Sequence, residues 1–522
     1  MTAASSAPQN DPAPPLRAAS TRRTAVNVVV ISLTSILQIM LQFLFFRHLA
    51  TTYALATQAD ALAAALAVPT VIAAMLTGSL AYVLVPELVS RFSQDVRSIA
   101  GWELAWYTGR LTGLLTGAVS AAVLVLSPAI CDLLYDDLSR VARAETIQLL
   151  RILSLQVVLT SGISWAQAVY HARHRFQLPA WAGVIGVTSS LLLVWWRGAA
   201  DIAYFAWAIN LGSAVSLAIH LLPMLRHWCP ARADAASLGR LVIGLWPLMT
   251  GAAIVRLDPL VDRTLADGLQ GAGAIAAIYY AQRFLAALLS MGTSSLSLIV
   301  FPQLAEHWVR SGRGELARQL AIAVRRMVLL IVPIAVGFGV FAQRIVEDLL
   351  VRGQFTMEQG RLVAGLTVAL LGVFIGASSG ELLARTFYVL GDTRTPTFVG
   401  LGWMLLGVIA KVSLFRWWGL WAIPIATSAY FLLSTATMAV LLRRTIGDGF
   451  FAGCGRYVAL ATVCSLLACL CSHAVYASGL GNTWLAAPVG VGAYVASLWV
   501  SQVEEVRQLA DELRQKVRGA AE

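Results

Sequence analysis

Fourteen apolar stretches, each near the ~20 residues a helix needs to cross a bilayer, run through this chain of 522 residues. They lie at 25–46, 61–85, 111–126, 147–170, 181–196, 202–225, 241–261, 272–301, 327–342, 362–383, 397–415, 418–442, 458–477 and 484–500. Hydrocarbon offers a backbone no hydrogen-bond partner, so such stretches cross it as helices. The expected fold is all-α, a polytopic membrane protein with about 14 transmembrane helices. Composition excludes the soluble alternative. Only 12% of residues are charged and 58% are hydrophobic, whereas soluble domains carry about 25% charged residues.

An even number of crossings puts both termini on one side. Arg and Lys are retained on the cytoplasmic face, and with the N-terminus inside, about 25 of the 38 basic residues fall in inward tails and loops. The inward set includes Arg173, Arg175, Arg310, Arg313, Arg318, Arg443, Arg444, Arg507, Arg514, Lys516 and Arg518, while Asp132, Asp136 and Asp137 fall outside. The net charge of +11 is thus a topology signal, and no basic stripe points to nucleic acid. Residues 1–23 are rich in Ala, Ser, Pro and Thr and read as a disordered cytoplasmic tail before a retained first helix. Of the six cysteines, Cys464, Cys469 and Cys471 share one apolar run with His473. Small packing residues explain that run better than a metal site, and no disulfide framework is implied.

An internal echo suggests a duplicated bundle. Thr77-Gly-Ser-Leu-Ala-Tyr-Val-Leu-Val-Pro-Glu-Leu88 closes the second stretch and Thr293-Ser-Ser-Leu-Ser-Leu-Ile-Val-Phe-Pro-Gln-Leu304 closes the eighth. Thr, Ser, Leu, Pro and Leu recur in register, so helices one to six and seven to twelve read as parallel copies, a transporter architecture. The expected organisation is a tail (1–23), an N-terminal six-helix lobe (24–230), a C-terminal six-helix lobe (231–445), two extra helices (446–502) and a second cytoplasmic tail (503–522).

Ionisable groups inside a bilayer cost about 2.5–3.5 kcal/mol each on insertion scales and call for a partner or a watery cavity. Four basic residues fall within the stretches: Arg151, Arg256, Arg283 and Lys411. Arg151, near an end, can snorkel, and Lys411 is close enough to the outer surface to do the same. Arg256-Leu-Asp258-Pro-Leu-Val-Asp262-Arg263 places Asp258 and Asp262 one turn apart on one face. That segment is either a self-neutralising cluster at the helix end or a cavity wall opened by Pro259. Arg283, in Ile278-Tyr-Tyr-Ala-Gln-Arg283-Phe284, has no acid three or four residues away and is expected to face a cavity and meet an anionic substrate. No metal-spaced His pair and no Gly-rich phosphate loop with a Lys is present, so the chain reads as a transporter, not an enzyme, with no cofactor. His48, beside Arg47, could serve as a proton site or be a bland interfacial histidine.

Several stretches resemble the MurJ (MviN) family of lipid II flippases, within the multidrug/oligosaccharidyl-lipid/polysaccharide exporter superfamily. They are Val351-Arg-Gly-Gln-Phe355, Ala384-Arg-Thr-Phe-Tyr-Val-Leu-Gly-Asp-Thr-Arg-Thr-Pro396, Ile278-Tyr-Tyr-Ala-Gln-Arg283, Phe301-Pro302, Asp60-Ala61 and Val68-Pro69. The resemblance implies alternating-access flipping of an undecaprenyl-diphosphate-linked saccharide, with the last two helices forming a groove for the lipid tail. A buried guanidinium offers a diphosphate bidentate hydrogen bonds as well as charge, and Arg283 matches the family's cavity arginine. Arg47, Asp60, Arg256 and Gln282 join it in the expected substrate site.

The chain also departs from the family. Phe45-Phe46 stand where the family has Arg-Asp, with Arg47 one or two places later; Ala73 and Ala74 replace paired arginines, and Gln282 replaces an acid. Some members hold a sodium ion at positions that align near Asp262, Lys411 and Thr427. The Lys411 ammonium is therefore expected to replace the ion and pair with Asp262 or Asp258. The expected cargo is lipid II or a related precursor, in the bacterial inner membrane and for cell-wall biogenesis. Alternatives are an exopolysaccharide or O-antigen repeat unit, a drug or cation exporter, and a non-transporting envelope scaffold. Expected partners are the lipid-linked oligosaccharide and membrane lipids, with envelope polymerases or glycosyltransferases as candidates, around a monomer.

Overall fold

The computed structural model describes residues 21–77, 80–94, 99–197, 201–230, 257–269, 273–451, 453–477 and 483–501. Residues 1–20 and 503–522 of the expected tails lie outside that set, as do residue 502, Arg256 and most of the seventh stretch. Among the described residues every regular element is a helix. The first half contains α1 (Thr21–Tyr53), α2 (Thr57–Thr77), α3 (Leu80–Gln94), α4 (Ile99–Leu134), α5 (Arg140–Leu153), α6 (Leu155–Ala172), α7 (Gln177–Arg197) and α8 (Ile202–Leu225). Then come α9 (Asp258–Asp267), α10 (Ala274–Leu350), α11 (Met357–Ala369), α12 (Leu371–Val389), α13 (Arg394–Trp418), α14 (Ala422–Ile446), α15 (Cys454–Ala477) and α16 (Thr483–Val500).

Eleven candidate membrane spans occur among the described residues; one, Arg394–Ile446, runs through both α13 and α14, and Ala486–Val500 adds a shorter apolar helix. These account for thirteen of the fourteen expected crossings, and most of the seventh stretch lies outside the described residues. The outer faces of these helices are apolar: Leu114, Leu133, Ile409 and Leu470 are all exposed, which only a hydrocarbon solvent makes favourable. Trp195 and Trp196 near the end of α7, and Trp417, Trp418 and Trp421 at the α13–α14 junction, are also exposed, as in the aromatic belts of membrane interfaces.

The structure differs from expectation in α10. The eighth and ninth stretches share one helical run of 77 residues, with the spans Ala274–Met291 and Arg313–Leu350 inside it. At 1.5 Å per residue it is about 115 Å long, far more than one ~30 Å hydrocarbon layer requires. The residues expected as a loop are helical: apart from Ser311, Gly312 and Gly314 most are good helix formers, and no proline falls between Pro302 and Pro333.

The two halves pack by the same plan. In the first, α7 lies on α8 and on α1, and α6 on α4 and α8; in the second, α13 lies on α14 and on α9, and α12 on α14 and α10. The fourth crossing is broken in both. α5 gives way to α6 at Ser154, and α11 to α12 at Leu370. Each break exposes carbonyls that hydrocarbon cannot satisfy, and each lobe supplies side chains for them. Asn210 Nδ2 on α8 donates to the Ile152 carbonyl (2.7 Å), and Ser120 Oγ to that of Ser154 (2.9 Å). Ser428 Oγ on α14 donates to the Ala369 carbonyl (2.5 Å). The pair α15–α16 packs on α10, where the Tyr494 hydroxyl donates to the Leu329 carbonyl (2.8 Å).

Candidate functional site

Two glycines let the lobes meet. Gly273 (φ +101°), just before α10, and Gly353 (φ +62°), between α10 and α11, adopt left-handed backbone conformations that suit a residue lacking Cβ. A Cβ at Gly273 would come within 2.5 Å of the Leu55 carbonyl oxygen, and one at Gly353 would strike the Thr51 carbonyl oxygen. The closed seam is completed by hydrogen bonds from Gln354 N to the Thr51 carbonyl (3.0 Å) and from the Tyr280 hydroxyl to the Ala54 carbonyl (3.3 Å). Phe43 packs edge-on against Phe284 at 5.2 Å.

Asp60 belongs to this seam. Its carboxylate accepts the backbone N–H groups of Gly273 and Ala276, the latter at 2.7 Å, at the positive end of α10. The sequence placed Asp60 in the substrate site; the structure commits both its oxygens to the start of a helix in the opposite lobe.

Deeper in the second lobe, Pro259 sits in the first turn of α9, where its missing N–H costs nothing. Asp258 and Asp262 then fall one turn apart on the same face. Lys411 of α13, fully buried, reaches both, with Nζ 2.6 Å from Asp258 Oδ1 and 2.6 Å from Asp262 Oδ1. The Tyr430 hydroxyl donates to Asp258 Oδ2 (2.9 Å) and Gln282 Nε2 to Asp262 Oδ2 (3.0 Å). Four separate elements, α9, α10, α13 and α14, therefore close on one ammonium. Two carboxylates facing one ammonium leave a formal charge of −1, which the two neutral donors soften. Snorkelling is excluded for Lys411 by its burial. Thr427 is buried on α14 but its hydroxyl bonds back to the Ile423 carbonyl (2.7 Å).

Arg283 lies one residue past Gln282. Its guanidinium sits 4.8 Å from the centroid of the Phe46 ring and 4.7 Å from that of Tyr279, half-buried, with no carboxylate in ion-pair range among the described residues. Phe46 is on α1 and Tyr279 on α10, so the arginine is held at the meeting of the lobes by two aromatic faces. The Asp262–Gln282 hydrogen bond fixes the register between α9 and α10. Arg263, beside Asp262, is consequently brought to the same Tyr279 ring (5.8 Å), buried and with Nε unpartnered. Sequence reasoning missed Arg263 as a site residue. The signal was its place directly after Asp262, which turns it toward α10 once the acid faces α13.

The departures at α1 and α2 are filled with apolar contacts. Phe45 is buried edge-on against Phe205 at 5.6 Å, Phe46 covers Arg283, and Ala73 is buried. Arg47 lies elsewhere, lining a separate cavity with His48 and Arg352. Arg256 is outside the described residues.

A family model described as lipid II flippase MurJ matches residues 49–487. The chain belongs to the MurJ family. Among similar curated proteins, one from Bdellovibrio bacteriovorus described as a probable lipid II flippase MurJ is 24% identical over 314 residues, covering 57% of this chain and 58% of that one. The lipid II flippase MurJ of Burkholderia cenocepacia is 23% identical over 273 residues, 50% of this chain and 52% of that one. The chain thus spans about half the length of these MurJ relatives. A solved lipid II flippase MurJ in an inward closed conformation matches with a TM-score of 0.74 at 14% identity, over 90% of this chain and 98% of that one. An inward-facing multidrug MATE transporter matches with a TM-score of 0.67 at 13% identity, over 80% and 98%. The fold of this chain is therefore that of these two solved transporters.

Proposed function

We propose that this chain flips an undecaprenyl-diphosphate-linked saccharide, lipid II or a related precursor, from the inner to the outer leaflet by alternating access. The observation that carries the reading is Arg283, a guanidinium without a carboxylate among the described residues, poised at the meeting of two lobes. A diphosphate cannot cross hydrocarbon with its charge bare, and an arginine without an anion of its own offers it two directed hydrogen bonds. The lobes, 24–230 and 231–445, rock about this point. Asp60, Gly273, Gly353 and Thr51 form the outer gate, and α15–α16 guide the lipid tail. Both termini lie in the cytoplasm, as the arginine distribution requires.

Lys411 plays the part of a built-in cation. Its ammonium occupies the space between Asp258 and Asp262 that a metal ion would otherwise neutralise, so this lobe works without sodium. Gln282 couples the cluster to Arg283. A second cargo, an exopolysaccharide repeat unit, is favoured by the apolar filling at Phe45, Phe46 and Ala73, which removes cationic contacts to a peptide-bearing headgroup.

The test is reconstitution with lipid II and with a neutral-sugar lipid diphosphate, comparing wild type and Arg283→Ala. Arginine-dependent flipping supports the proposal and the faster cargo identifies the headgroup. Equal rates for wild type and variant with both lipids would refute it.

A further inference from the structure

At the seam, away from Arg283, a cavity of about 470 Å³ opens between the end of α1, the end of α7 and the segment joining α10 to α11. Its size lies within the usual range of ligand sites. Arg47 and His48 enter from α1 and Arg352 from the opposite lobe, while Leu44 and Trp195 form an apolar wall. Neither arginine pairs with a carboxylate among the described residues. His48 stacks on Phe205 at 5.9 Å, and its Nε2 is buried without a hydrogen-bond partner.

Like charges gathered around one space repel unless something negative stands between them. Two guanidiniums present forked donors suited to the oxygens of a phosphate ester. The wall opposite them continues onto the lipid-facing surface, since Leu44 and Trp195 are both exposed and tryptophan favours the headgroup level of a bilayer. We propose that this cavity is a phosphate-ester site, distinct from the Arg283 site, that takes the headgroup of an anionic phospholipid from the surrounding leaflet. The inference goes beyond the flippase reading and holds whichever cargo is carried, since it needs only the closed seam. Arg47 and Arg352 come from different lobes, so an anion between them favours the closed form.

The experiment uses the full chain in phosphatidylcholine nanodiscs. One series adds phosphatidylglycerol to the discs; a second adds inorganic phosphate to pure phosphatidylcholine discs. Lipid retention is read by native mass spectrometry and stability by the thermal unfolding midpoint. Phosphatidylglycerol should be retained and raise the midpoint. Arg352→Gln, at an exposed position where folding is not at stake, should weaken the effect about tenfold, the loss expected for one charge-assisted hydrogen bond. Arg47→Gln should do the same, and Arg416→Gln, exposed on α13, should leave it unchanged. If inorganic phosphate alone gives the same arginine-dependent stabilisation, the site stands and its source is free phosphate. Absence of stabilisation in both series, or stabilisation unaltered by either Arg47→Gln or Arg352→Gln, overturns it. Flipping assays on Arg283→Ala are read separately, so either proposal can fail alone.

Discussion

Replacing Lys411 by methionine keeps the unbranched shape of the side chain, one atom shorter, and removes its charge, leaving Asp258 and Asp262 buried and facing one another. Both aspartates are buried, with side chains only 10% and 5% exposed, so water cannot take over the role of the ammonium. Removing one member of a buried pair typically costs about 3–5 kcal/mol. The upper part of that range applies here, because one ammonium serves two acids at 2.6 Å, with the hydrogen bonds from Tyr430 and Gln282 setting a limit on the loss. The assay is the apparent unfolding midpoint of purified protein in detergent, with wild type, Lys411→Met and a Lys411→Met/Asp258→Asn/Asp262→Asn triple variant in parallel. The triple variant should recover most of the loss, since neutral amides remove the repulsion. Lys411→Ala, which also opens space, should gain stability from sodium, by about 2.7 kcal/mol at a hundredfold excess over its dissociation constant; wild type should not. A loss below about 1 kcal/mol for Lys411→Met, or equal sodium stabilisation of wild type and Lys411→Ala, would refute the built-in cation.

Gly353→Ala and Gly273→Ala should each hinder closure of the seam, through an unfavourable φ and a clash with the opposite lobe; increased labelling of a cysteine placed at Thr51 reads the opening. Asp60→Asn should weaken the same seam by about 1.5–3 kcal/mol, the value of hydrogen bonds to a charged acceptor, and labelling at Thr51 checks it. Arg263→Gln should reduce flipping while keeping the Lys411 cluster intact, measured as transport beside the unfolding midpoint. Asp392, in the connection before α13, accepts hydrogen bonds from the Thr395 hydroxyl and from the backbone N–H groups of Thr395 and Arg394, which hold its carboxyl below the usual carboxylate range. Its stabilising effect is therefore present above that range and lost as the pH falls through the lowered value. Asp392→Ala should lower the unfolding midpoint at neutral pH, with the difference from wild type shrinking in strong acid.

The crossings were legible because the bilayer sets a length that apolar runs must meet, and the echo at Thr77 and Thr293 carried the duplication. Lys411 with Asp258 and Asp262 was legible only through the alignment with the MurJ family. Spacing joined the two acids, but nothing local in α13 reveals which way its lysine turns. The seam contacts of Asp60 were not legible because its partners, backbone N–H groups of another lobe, have no sequence signature. The helix breaks at Ser154 and Leu370 were equally hidden. Neither contains a proline, and what stabilises them are side chains on other helices, 34 to 59 residues away. The cavity at Arg47 gathers three distant segments, a proximity that hydropathy does not encode.

The matched breaks also bear on how such a molecule can change shape. Asn210 and Ser428 each catch the freed carbonyls from inside their own half, so each half keeps its bend without help from the other. The inter-lobe contacts at Thr51, Ala54 and Asp60 can then be surrendered as a set while every kink survives. Two stiff, separately finished bodies joined by a removable clasp would swing as units, with the energetic cost of motion concentrated in a few backbone hydrogen bonds.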